Sequence, residues 1–96
     1  MALPSITPDY EEYEIPGVGT VRMRPLSSKE VQAFGKAVED EDEERVLKML
    51  DTAIDEPLED IRAWVDAMPL YQAARVTEYV VTLSAEGPEV AKALGN

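Results

Sequence analysis

Apolar and polar residues alternate in two short stretches near the start of the chain, and then the rhythm changes. Glu12-Tyr13-Glu14-Ile15 and Val21-Arg22-Met23-Arg24 each repeat every second residue, the period of a strand with one buried face. Pro16-Gly17-Val18-Gly19-Thr20 between them is turn sequence. The pattern predicts a β-hairpin over 12–24. In the expected register Ile15 faces Val21, Tyr13 faces Met23, Glu14 faces Arg22 and Glu12 faces Arg24. One face is then apolar and the other carries two opposite-charge pairs. Upstream, Pro4 and Pro8 exclude a regular helix, so residues 1–11 are expected to form an extended tail.

After Pro25 the period becomes helical. Ser27-Ser28-Lys29-Glu30 reads as a capping box, and Val31, Phe34 and Val38 follow as one apolar stripe. A second helix buries Val46, Leu47, Leu50, Ala53 and Ile54. Pro57 opens a third, with Glu59 and Asp60 in its first turn and Leu58, Ile61, Trp64, Val65 and Met68 as its stripe. Pro69 opens the fourth and longest, which is apolar on two faces. Leu70, Ala73, Ala74, Thr77, Val80 and Val81 form one; Val76, Tyr79 and Leu83 form the other. The expected helices are 28–38, 42–54, 58–67 and 69–84, a helical core over 27–84. A short C-terminal helix or tail occupies 85–96, after the break at Gly87-Pro88. The fold class is mainly α: a small four- to five-helix domain with an N-terminal β-hairpin, spanning 1–96 as a single domain.

Composition narrows the chemistry. The chain has 96 residues, 45% of them hydrophobic, with 20 acids against nine bases and a net charge of −11. It has no Cys and no His. Disulfides, thiol nucleophiles, imidazole bases and His- or Cys-ligated metals are therefore excluded. The negative charge disfavours nucleic-acid backbones and anionic membranes. No apolar run is long enough for a bilayer, and Met1-Ala2-Leu3-Pro4 lacks the basic start of a secretory signal, so the expected compartment is cytoplasm. Six consecutive acids, Glu39 to Glu44, sit between the first two helices. Read as a calcium loop from Asp40, they put Arg45 where a Gly is needed and Asp51 where a bidentate Glu is needed. A solvated linker, with Asp42 to Glu44 opening the second helix, is the expectation. No phosphate-binding loop and no catalytic pairing stands out, and neither an enzyme nor a cofactor is expected.

The order of segments resembles the small tail assembly chaperones of long-tailed bacteriophages. The likeness covers residues 18–85 and rests on Arg24-Pro25-Leu26-Ser27 leading into the first helix and on Ile54-Asp55-Glu56-Pro57-Leu58 at the joint before the third. It implies a protein that binds the aggregation-prone tape measure protein in the host cytoplasm, assists tail tube protein in polymerising around it, and then leaves. It further implies the shorter of two translational forms, the longer arising by frameshift. The family carries no catalytic motif. Two other classes fit the composition: an acidic DNA mimic that inhibits a DNA-binding enzyme, and a structural tail or connector subunit. Against the mimic, acids are uneven, ten in residues 27–56 and six in 57–96.

For protein binding the candidate residues are Val76, Tyr79 and Leu83 on the surplus face of the fourth helix, with Trp64 nearby. Their spacing suits a partner helix lying in a groove. Trp64 reads either as core or as an interface anchor. The face of the fourth helix is open to a partner, covered by the hairpin, or covered by a second copy in a homo-oligomer. The free hairpin edge at Glu12–Ile15 is the other expected docking place.

Overall fold

A computed structural model describes residues 3, 4 and 9–94. Most of the predicted tail (1, 2 and 5–8) and the final Gly95-Asn96 lie outside the described residues. The chain runs β1 (Glu11–Ile15), β2 (Gly19–Met23), α1 (Ser28–Glu39), α2 (Glu43–Ala53), α3 (Leu58–Ala67), α4 (Leu70–Glu86) and α5 (Pro88–Ala93). It is mainly helical, with one N-terminal antiparallel hairpin, as its periodicity predicts.

The hairpin register differs from the expected one by two residues. Tyr13 faces Val21, Glu12 faces Arg22, Glu14 faces Thr20 and Ile15 faces Gly19. The cause is a tight turn. Val18 N–H donates to Ile15 C=O at 2.9 Å, with Pro16 and Gly17 in the two central positions and Gly17 at φ 80°. That is the type II signature, which needs glycine at the second centre. A two-residue slip preserves faces, so Tyr13, Ile15, Val21 and Met23 still point into the core. The charge pairs change. Arg24 leaves the ladder for Glu30, and Arg22 pairs with Asp55 at 3.3 Å.

The hairpin lies on α4. Gln72 Nε2 donates to Gly17 C=O at 2.8 Å and Arg75 Nη1 to Pro16 C=O at 2.6 Å, satisfying turn carbonyls that have no ladder partner. Tyr13, Ile15, Met23, Leu50, Ile61, Val76, Val80 and Leu83 form the centre of one core. Met49 joins it, although helical spacing had not singled it out. At the far end of α4, Ser84 Oγ accepts from Leu26 N–H at 2.9 Å and donates to Val80 C=O at 2.7 Å. The chain between hairpin and α1 is thereby fastened to α4. Ala91 is the buried residue of α5, and Lys92 pairs with Glu11 at 3.3 Å while lying over the Tyr13 ring. Burial, together with the Glu11 carboxylate that accepts from its hydroxyl at 3.2 Å, pushes the Tyr13 phenol up to about 12.

The α1 stripe is corrected. Ala37 is the buried residue of this helix; Phe34 is half-buried, and Val31 and Val38 are exposed. α1 packs on α2, and most of its residues stay open to solvent. Its ends follow the sequence closely. Ser27 caps it: Ser27 Oγ accepts from Glu30 N–H at 3.2 Å and Glu30 Oε1 accepts from Ser27 N–H at 2.9 Å. Both oxygens of Glu30 also accept from Arg24 at 3.0 Å. The Arg24 guanidinium, aided by the Ser27 amide, holds the Glu30 carboxyl down at about 2. Because the folded value lies below the ordinary 4.5, its stabilisation is complete above pH 4.5 and is lost as pH falls towards 2. Glu30→Gln is expected to flatten that part of the acid limb in urea titrations run at successive pH values.

The acid run divides between elements. Glu39 ends α1, Asp42 caps α2 by accepting from Arg45 N–H at 3.3 Å, and Glu43 and Glu44 occupy the first turn, where the helix dipole favours them. Asp42 N–H reaches Ala37 C=O and Glu41 N–H reaches Val38 C=O, the paired bonds of a Schellman ending. That motif places Glu41 at φ 54°, where glycine is preferred. Relief of left-handed strain outweighs the entropy cost of glycine, so Glu41→Gly is expected to raise stability by about 0.5–1 kcal/mol. The urea midpoint reads it, at unchanged slope.

Candidate docking site

Pro57 and Pro69 act as caps, each one residue before its helix, and so set where α3 begins and ends. Ile61 is buried and anchors α3 to the core. Trp64 lies one turn further on the same face and is half-buried. Ahead of α3, the segment Ala53–Asp55 runs beside β2. Arg24 N–H donates to Ala53 C=O at 2.8 Å and Asp55 N–H to Arg22 C=O at 3.1 Å, flanking an isolated Met23–Ile54 bridge. Glu56 N–H then turns back to Ile54 C=O and the chain departs into α3.

Between that departure and β2 opens a cleft of about 300 Å³. Val18, Val21, Ile54, Ile61 and Trp64 give it apolar walls. Glu56 and Asp60 stand on its rim, exposed, with no ion-pair partner among the described residues. The cleft's one base, Arg22, is already engaged by Asp55. A second ion pair ties α3 to α2: the two terminal Arg62 nitrogens meet the Glu44 carboxylate, at 2.8 and 3.0 Å, and hold that carboxyl below its usual range. The result is an apolar slot with a negative rim, suited to an apolar side chain accompanied by a cation.

Of the residues the sequence singled out, only Trp64 lines this cleft. Val76, Tyr79 and Leu83 are buried within the core, and the open groove expected on α4 is corrected: that face belongs to a cluster shared with the hairpin, α2 and α5. The large apolar residues that α4 leaves exposed are Leu70, Tyr71 and Val81. Burial raises the Tyr79 phenol, and its hydroxyl has no hydrogen-bond partner among the described residues. A buried unpaired hydroxyl costs more than it returns, so Tyr79→Phe is expected to stabilise the fold by about 1 kcal/mol in urea unfolding. Sequence reasoning missed Val18, Val21, Glu56 and Asp60 as site residues. The available signal is the Asp55-Glu56-Pro57 break, which by spacing alone reads only as a helix joint. Among the described residues no three acids converge to hold a metal, and no helix is long and apolar enough to cross a membrane. No protein-family model, no curated protein and no solved structure matches the chain.

Proposed function

We propose that this chain is a tail assembly chaperone of a long-tailed bacteriophage. It acts without catalysis in the host cytoplasm, binding the tape measure protein and assisting tail tube protein to assemble around it. The observation that carries this reading is the acid-rimmed apolar cleft at Trp64, on a chain whose segment order resembles that family. Physical chemistry supports it in two ways. A slot of about 300 Å³ takes a small number of side chains, so each contact is weak enough to release when tube subunits arrive. A net charge of −11 keeps a complex with an apolar partner dispersed through self-repulsion.

The test is co-expression with the tape measure protein encoded in the same genome. The expected result is a soluble complex of the two that co-migrates on gel filtration, where the partner alone pellets. A partner that pellets equally with and without this chain would refute the proposal.

A further inference from the structure

Resting on the reading of the Trp64 cleft as a docking site, the geometry points to the form in which the partner enters: an extended segment, apolar and basic, that adds a strand to the open edge of β2. β2 pairs along one side with β1. On its other side Ala53–Asp55 begins a third lane and abandons it after two hydrogen bonds. Main-chain groups along a strand point alternately to the two sides. The bonds made by Arg22 C=O and Arg24 N–H show that the even-numbered residues face the third lane. Arg22 N–H, and both the N–H and C=O of Thr20, therefore face it as well, and have no main-chain partner there among the described residues. The cleft occupies the stretch of lane that the chain vacates, with Thr20 and Arg22 on its wall.

This edge selects its occupant. A helix spends its main-chain groups internally, whereas an extended segment offers them at alternate residues and continues the ladder. Its side chains on the Val21 side meet Ile61 and Trp64 and are apolar. Glu56 and Asp60 at the rim favour Lys or Arg in the flanking positions, and Arg22, held by Asp55, does not offset them. The helix-in-groove mode expected from α4 gives way to strand addition because the α4 face is filled and the β2 edge is not.

Trp64 is the chain's one tryptophan, so its fluorescence reports occupancy directly. The probes are three short blocked peptides: one alternating Lys and Val, the same peptide N-methylated at every residue, and one alternating Glu and Val. The Lys–Val peptide is expected to give a saturable change in Trp64 emission and to slow amide exchange at Thr20 and Arg22. The other two are expected to bind at least about tenfold more weakly, the one lacking main-chain donors and the other repelled by the rim. The exposed pair Glu56→Lys with Asp60→Lys, checked for unchanged circular dichroism, is expected to lose about tenfold for the Lys–Val peptide. Absence of saturation with that peptide, equal binding of the N-methylated or Glu–Val peptide, or unprotected Thr20 would overturn strand addition. So would tape measure protein held soluble equally well by the double variant, which would leave the chaperone reading standing. Peptide binding as expected, without rescue of tape measure protein by the unaltered chain, supports strand addition and refutes the chaperone reading alone.

Discussion

Leu83→Ala is expected to lower the stability of the domain by about 2–5 kcal/mol, the range for removing a fully buried leucine without collapse of the space it leaves. Leu83 is completely buried on α4, within the cluster that joins the hairpin to the helices. It lies one residue before Ser84, whose hydroxyl fastens Leu26 to the same helix, so its neighbours are held on both sides and relax little. A domain of this kind has about 5–15 kcal/mol in total, and the variant therefore loses a large share of it. Urea unfolding followed at the helical signal measures the loss. A change below about 1 kcal/mol would mean that the face of α4 carrying Val76, Tyr79 and Leu83 is not the core.

Trp64→Ala is expected to weaken partner binding by about thirtyfold or more, the effect of truncating a central aromatic anchor in a docking site. The side chain is half-buried and forms one wall of the cleft, while Ile61 supplies the deeper anchor of α3. Helical content is therefore expected to persist, and binding is expected to fall. Circular dichroism checks the first; titration of the variant against the alternating Lys–Val peptide, read by calorimetry because the fluorophore is gone, checks the second. Unchanged affinity in a folded variant would move the docking surface away from this cleft.

Local chemistry explains which parts of the structure were legible in the sequence. The Ser27–Glu30 box, the two prolines before α3 and α4, and the period changes at Pro25 are all set by residues within a turn of one another, and the structure follows them. The hairpin faces were legible because alternation fixes them. The register was not, because a two-residue slip leaves the same side chains inside and only the turn decides it. The apolar stripe of α1 misled because periodicity gives a face without saying what covers it. Val31 and Val38 remain exposed, while Val76, Tyr79 and Leu83, whose face reads as surplus, lie in the core shared by the hairpin and the other helices. The candidate site was the least legible part. It depends on Ala53–Asp55 running beside β2 for a single bridge and then leaving, a meeting of segments about thirty residues apart that no spacing along the chain encodes.

The proposed role of the Trp64 cleft is tested by the soluble fraction of tape measure protein when it is produced alone, with the unaltered chain, and with Trp64→Ala shown to be folded by circular dichroism. The partner is expected to be soluble with the unaltered chain and to pellet in the other two cases. Solubility that is the same with either form of the chain, or the same with no chain at all, would contradict that role.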